Sequence, residues 1–446
     1  MATAATVRDR YRSAFESLER QGALRSPAWL LPVRRAAITR FAEMGFPTTR
    51  DEDWRYTSLA PLAAVLFQPV DGWPPAAPAV AVPEPLGPAG ADWPRLVFVD
   101  GRYSATHSSL VALPRGARLT SLAEAMSTDG DTVQQHLARH AGWDTDVFAA
   151  LSTAFAQDGT FVHLAADTVA PTPIELLYLA TTPGALTQPR TLVVAGPHSR
   201  VTVVERYVGL VDEAYFTNAV SEIVAGPGAS VDHHVVQEQG AAAFHVATVH
   251  AALERDSGFS TCGATLGGRL ARTTLTVRFD GTGARAVLRG LYVLDSQQHV
   301  DNHVTVDHAV PRCSSEQLYK GVLDGAARAV FNGRILVRRD AQKTSATQTN
   351  KHLLLSDGVE VDSKPQLEIF ADDVKCTHGA AEGQLAAEAL FYLRSRGLDE
   401  DEARALLIYG FAREVLEPVA IEPLRAHLDR LLTARLQRES ATKETA

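Results

Sequence analysis

Cysteine is scarce in this 446-residue chain: Cys262, Cys313 and Cys376 lie 51 and 63 residues apart, with no C-x-x-C pair. That spacing excludes a disulfide framework and a zinc-finger arrangement, and it fits a reducing compartment. Lysine is also sparse. Only six occur, and none completes G-x-x-x-x-G-K-[ST], so any ATP used with this chain is bound and hydrolysed by another one. H-E-x-x-H and G-x-S-x-G are missing too, which removes the commonest metalloprotease and hydrolase signatures. No run approaches the ~20 apolar residues needed to cross a bilayer. The first twenty residues carry Arg8, Asp9, Arg10, Arg12, Glu16, Glu19 and Arg20, which leaves no apolar stretch for a secretory signal. A soluble cytoplasmic protein is expected, without a membrane partner. A net charge of −9 provides no basic face for nucleic acid.

What is present is a large apolar content, 46%, arranged in three regions. Residues 1–158 read as an N-terminal, largely helical region. Val7, Tyr11, Phe15 and Leu18 recur at helical spacing, a second helical segment runs from Pro27 to Gly45, and a Pro/Ala-rich connector covers 69–94. A short strand at Leu96–Val99 turns at Asp100-Gly101, and helical segments are expected around 119–126 and 145–157. From 159 to 382 strand-like runs follow one another, among them Phe161–Leu164, Val201–Val204, Ser230–Val236, Val304–Val306 and Ile335–Val337. No helix-length pattern between them serves as a crossover, so a sandwich, barrel or solenoid is implied. The quartet Ala284–Val287 with Gly290 reappears as Ala327–Val330 with Gly333, at an offset of 43 residues. With coils of roughly 20 residues this predicts a β-solenoid whose quartets stack two coils apart. Residues 383–446 return to helix. Asp399 and Glu402 form a capping box, and Leu406, Leu407, Phe411 and Val415 lie on an apolar side suited to packing on the chain's own domain or to a partner's groove. Ile421, Leu424, Leu428, Leu431, Leu432 and Leu436 form a further stripe.

The stretch Asp373-Val374-Lys375-Cys376-Thr377-His378-Gly379 carries the sharpest chemistry. In a strand, Cys376 and His378 leave the same face. A thiol beside an imidazole suits iron or zinc, or a nucleophile with its base, or simply a packed interior. His299, Asp301 and His303 would share another strand face, with His308 on the opposite parity, giving a polar ladder or a metal site. His233-His234, and His245 with His250, diverge in the same way. The polar run Lys343–His352 reads as turn or edge, and Asp372-Asp373 as a solvated turn.

Several longer stretches carry a resemblance. Gln317-Leu318-Tyr319-Lys320-Gly321, Ala329-Val330-Phe331-Asn332-Gly333, Ala341–Thr344, Lys364-Pro365-Gln366-Leu367-Glu368-Ile369, Ala371–Cys376 and Phe391-Tyr392-Leu393-Arg394-Ser395-Arg396-Gly397 resemble the SufB/SufD family of the sulfur-mobilisation iron–sulfur cluster assembly system. So does the early Glu52-Asp53-Trp54-Arg55-Tyr56-Thr57. The resemblance implies a mainly β chain with a right-handed parallel β-helix core between N- and C-terminal helical domains. It implies a non-catalytic assembly subunit that pairs with SufB through the β-helix and with the ATPase SufC through its C-terminal helices. The apolar Leu406, Leu407, Phe411 and Val415 then become the partner interface, and where SufB is absent the choice between homodimer and heterocomplex stays open. Cys376 and His378 match the family's interface thiol and imidazole, at which a transient iron–sulfur cluster is shared with SufB. The family's complex also brings in reduced flavin, for which this chain shows no signature. The principal scaffold's late cysteine aligns with Thr349 or Asn350, and its acidic residue after the histidine aligns with Gly379, so this chain resembles the partner branch rather than SufB. A SufB-like homodimeric scaffold and a β-helix carbohydrate-active enzyme are the other readings.

Overall fold

The computed structural model describes residues 4–24, 27–70, 80–87 and 93–444. Most of the expected 69–94 connector lies outside the described residues. The chain forms a parallel β-helix of about eight coils, flanked by N- and C-terminal helices. Successive strands alternate between two sheets. One sheet runs from Ala117–Ser121 to Glu360–Ile369 and the other from Arg102–Tyr103 and Arg95–Val99 to Lys375–Gly383. Neighbours are parallel throughout except for two antiparallel pairs at the N-terminal end, Arg95–Val99 with Arg102–Tyr103 and Ala117–Ser121 with Gly159–Leu164. One of these is the predicted turn, with Asp100 and Gly101 both at positive φ.

The coil length corrects the sequence-based expectation. Arg285 pairs with Ser314 and His299 with Arg328, so one coil is half again as long as assumed. The 43-residue echo therefore spans one and a half coils. It relates the strand Arg285–Leu294 of one sheet to Arg328–Val337 of the other, and the quartets do not stack. The echo has a physical origin all the same, because strands of both sheets face a common interior. Ala286 and Ala329 both point inward, and Gly290 and Gly333 leave room for larger inward side chains from the next coil.

Six consecutive strands of the second sheet start two residues after a left-handed backbone residue. His198, Gly228, Asp256, Gly283, Arg312 and Lys343 precede strands beginning at Arg200, Ser230, Gly258, Arg285, Ser314 and Ser345. A left-handed residue turns the chain sharply, so this repeated corner sets the start of those six strands.

Three apolar bodies hold the molecule together. The lumen is packed with inward residues such as Leu176, Val203, Phe259, Leu288, Val304 and Phe331. On the outer face of the first sheet lies the N-terminal helical core. Val7, Tyr11, Phe15 and Leu18 of the helix Ala4–Gln21 meet Phe148 and Leu151 of Val147–Phe155 over Phe216 and Phe244. The C-terminal helices Glu400–Leu416 and Glu422–Glu444 cover the outer face of the second sheet, burying Ile408, Val415, Leu424, Leu428, Leu432 and Leu436 against Leu291, Val293 and Val322. The expected capping box is formed at Asp399 and Glu402. Among the described residues no helix is long and apolar enough to cross a membrane.

The early Glu52–Thr57 segment docks on the first sheet. The Arg272 guanidinium stacks on Trp54 at 3.8 Å, Thr57 Oγ1 donates to Asp301 Oδ2 at 2.6 Å, and Lys364 pairs with Glu52. Asp301 is the centre of this junction, contacted by Arg272 and, at 3.1 Å, by His303 Nε2. Burial opposes its charge, but Arg272 and His303 hold its carboxyl well below the usual carboxylate range.

Candidate functional site

The strand Lys375–Gly383 is the last of its sheet, as Glu360–Ile369 is of the other, so the β-helix ends in two unpaired strand edges. Cys376 pairs in register with Ala346 and His378 with Gln348, both of which face the lumen. Cys376 and His378 therefore share the inward face of the terminal rung. Among the described residues no further coil covers them. His378 is exposed, while Cys376 is half-buried against Ile335, Val337, Ala341, Ala346 and Ala371. Asp372 and Asp373 sit exposed at the turn before them, with Asp373 paired to Lys343.

Burial pushes the Cys376 thiol above its ordinary value. At neutral pH the group is a protonated thiol, a poor nucleophile until a base or metal removes the proton. Cys262, beneath the C-terminal helices, is pushed up to about 12 by burial, and Cys313 is raised for the same reason. Iodoacetamide at pH 7 should therefore modify the folded chain slowly and at Cys376 first, with the rate rising through pH 9. Peptide mapping after timed quenching reads this out, and prior labelling of Cys262 would contradict it.

No group of three or more His, Cys, Asp or Glu side chains suited to a metal ion occurs among the described residues. A metal ion held by Cys376 and His378 would need further donors from outside these residues. Thr349 and Gly379, two positions aligned with missing scaffold donors, are register neighbours on adjacent strands.

His299 Nε2 lies 3.0 Å from Thr57 Oγ1 and His303 Nε2 3.1 Å from Asp301 Oδ1, so both sit in the polar Thr57–Asp301 junction. His308 points inward to Ser315 Oγ at 2.9 Å. His233 faces the lumen, 3.0 Å from Glu205, whereas His234 faces the other way. Burial opposes the Glu205 charge, but His233 and the Tyr207 hydroxyl hold that carboxyl below its ordinary range.

The expected partner-interface residues divide. Val415 is fully buried against the second sheet. Phe411 is half-buried beneath the Lys320 ammonium, 4.2 Å from its ring centroid, and Leu407 is half-buried as well. Leu406 is exposed. So are Phe391 and Tyr392 on the helix Ala387–Ser395, none of whose residues is buried. The capped helix Glu400–Leu416 turns one face to its own β-helix and the other to solvent.

The polar run Lys343–His352 is the clearest mistake of sequence reading. It is neither turn nor edge but most of the strand Ser345–Leu354, paired on both sides. Ala346, Gln348, Asn350 and His352 point into the lumen and are buried. The signal was their i, i+2 spacing, which polarity concealed.

A family model described as the SufBD core domain of SUF system FeS cluster assembly matches residues 178–411, and one for the SufBD N-terminal region matches 92–176. An iron–sulfur cluster assembly SufBD family protein of Synechocystis is 34% identical over 91% of each chain. The iron–sulfur cluster assembly protein SufD of Escherichia coli is 30% identical over 91% of this chain and 92% of its own, and that of Bacillus subtilis 26% identical over 96% and 98%. With the core match covering the coils that end in Cys376 and His378, the chain belongs to the SufBD family of the SUF iron–sulfur cluster assembly system.

Proposed function

We propose that this chain is the SufD-type subunit of a SufB–SufC–SufD assembly and acts as a non-catalytic scaffold. Its terminal rung meets SufB to complete a nascent iron–sulfur cluster site. The observation that carries this reading is the uncapped last coil, where two strand edges are unpaired and the lumen-facing thiol–imidazole pair has no coil above it. Unpaired edges are templates for strand addition, and a β-helix end left open wants a continuation. A second β-helix placed there both satisfies the edges and brings further donors to Cys376 and His378. Soft thiolate and borderline imidazole ligands fit iron in a sulfide-rich cluster. The cluster is cargo, held until transfer.

ATP hydrolysis is assigned to SufC, docked on the exposed face of the C-terminal helices around Leu406, Phe391 and Tyr392. Leu407 and Phe411 border that face, and Val415 supports it from beneath. No flavin contact is assigned to this chain. When SufB is absent, the same open end supports a homodimer.

The test combines pulldown from native extract with anaerobic reconstitution of the recovered complex. His378→Ala should retain both partners and lose iron and sulfide by on the order of tenfold or more, as expected for loss of a ligand. Cys376→Ser should cost less, because the thiol is protonated and packed in the free chain. Unchanged cluster yield in His378→Ala with partners retained would remove the ligand assignment.

A further inference from the structure

Directly beneath His378 lie two amides with nothing to bond. Gln348 and Gln317 are each 1% exposed, and neither the Nε2 nor the Oε1 atom of either has a hydrogen-bond partner among the described residues. Register places them in one column: Leu288, Gln317, Gln348 and then His378 on successive strands of the second sheet. Native interiors carry few such orphans, and each one calls for a reason.

The neighbouring column shows that this end of the lumen can satisfy an amide. Asn350, on the same strand as Gln348, accepts from Ser363 Oγ at 2.9 Å and donates to the Tyr319 carbonyl and the Tyr292 hydroxyl, each at 3.4 Å. Across the lumen Gly333 makes the space that Gln348 occupies, since a Cβ there would collide with the Gln348 amide nitrogen. The coil is thus shaped to admit a glutamine side chain that its own interior leaves unpaired.

Glutamines stacked in register on parallel strands can form a ladder of amide hydrogen bonds along the stack. Here the column ends at the imidazole of the open rung. In a histidine, the bond made by one ring nitrogen sets the tautomer and leaves the other nitrogen's lone pair free. Metal-ligating histidines commonly donate that first N–H to a carbonyl or carboxylate oxygen.

We propose that Gln348, backed by Gln317, is a positioning residue for His378: its amide oxygen accepts the inward ring N–H, fixing one tautomer and directing the other nitrogen out of the open end. The purpose of this arrangement rests on the reading of His378 as an iron ligand, whereas the tautomer is a property of the chain alone.

The experiment reads the tautomer directly. Full-length chain carrying ring-15N histidine is examined by long-range 1H–15N correlation at pH 8, with His378 assigned by its loss in His378→Ala. Wild type and Gln348→Glu, which keeps an acceptor oxygen, should show a single His378 tautomer. Gln348→Leu should show the mixture of an unconstrained imidazole while melting no lower than wild type, because it removes an unpaired buried amide. In the assembled complex, Fe(II) affinity should fall about 10- to 100-fold in Gln348→Leu and much less in Gln348→Glu. An unchanged His378 tautomer in a folded Gln348→Leu overturns the positioning role, even if His378→Ala abolishes iron binding. Conversely, if Gln348→Leu alters the tautomer but His378→Ala binds Fe(II) like wild type, the ligand reading fails and the positioning stands.

Discussion

Acidification from pH 6.5 towards 4 should unfold this chain, and buried histidines should cause it. Burial lowers His234, His245, His250, His299, His308 and His352 from the usual 6.5 to about 4 each. In the unfolded chain the same imidazoles take up protons near 6.5. Between the two values the unfolded state binds more protons, so stability is complete above pH 6.5 and falls as pH drops towards 4. Each group contributes a slope of about 1.4 kcal/mol per pH unit in that window. Six acting together give roughly 8 kcal/mol per unit, against a total stability on the order of 5–15 kcal/mol, so the midpoint should lie above pH 4. Carboxylates held low, such as Asp301 and Glu222, act in a different window. Their stabilisation is present above the ordinary carboxylate value and is lost only as pH falls further. Tryptophan fluorescence melts at half-unit pH steps would show the loss, and a melting temperature flat from pH 6.5 to 5 would contradict it.

Several of these histidines were legible in their directions before their environments were known. The opposite parities of His233 and His234, of His245 and His250, and of His303 and His308 follow from strand alternation alone, and the coils preserve them. A sandwich, barrel or solenoid was legible in the succession of strands without crossover helices, and the β-helix among these was legible in the family resemblance. Coil length was not. The corners are made by left-handed residues of mixed type, His198, Asp256, Arg312 and Lys343 among them, rather than by a periodic glycine.

The terminal rung was half legible. Strand spacing put Cys376 and His378 on one face, but only the fold makes that face the uncovered mouth of the lumen. Gln317 and Gln348 could not be found by looking for apolar alternation, since their strands bury polar side chains. Along the helix Glu400–Leu416 the apolar pattern did not separate Val415, which packs inward, from Leu406, which does not. Both lie on apolar positions, and which one is buried depends on how the helix is rotated on the second sheet. The Trp54 and Thr57 segment was visible only as a stretch carrying the resemblance, and not as a docking contact, because its partners Arg272 and Asp301 are more than two hundred residues away.

The largest single-site effect should come from Glu222. It lies on the outer face of the first sheet, with its Oε2 2.9 Å from Arg190 Nη2, both side chains being 1% exposed. Arg190 also donates to Thr153 Oγ1 at 2.9 Å on the helix Val147–Phe155. The Glu222 carboxylate accepts four backbone N–H groups, from Ala138, Arg139, His140 and Ala141, at 2.8 to 3.1 Å. Burial opposes its charge, but Arg190 and these amides hold the carboxyl below the usual range. The pair therefore clamps the loop following the helix Gly130–His136 onto the β-helix. Removing one member of a buried pair costs about 3–5 kcal/mol, but the two removals are unequal. Arg190→Leu leaves a carboxylate that four amides still solvate, so it belongs at the low end, about 3 kcal/mol. Glu222→Leu strands a guanidinium and four backbone donors together, and should cost about 5 kcal/mol or more. Urea denaturation at pH 7.5 compares the two, and hydrogen exchange supplies the local readout. Amides 138–141 should exchange faster in Glu222→Leu than in Arg190→Leu when the two are compared under conditions of equal global stability. Equal protection of those amides in the two variants would mean that the loop is held by packing and the clamp contributes nothing.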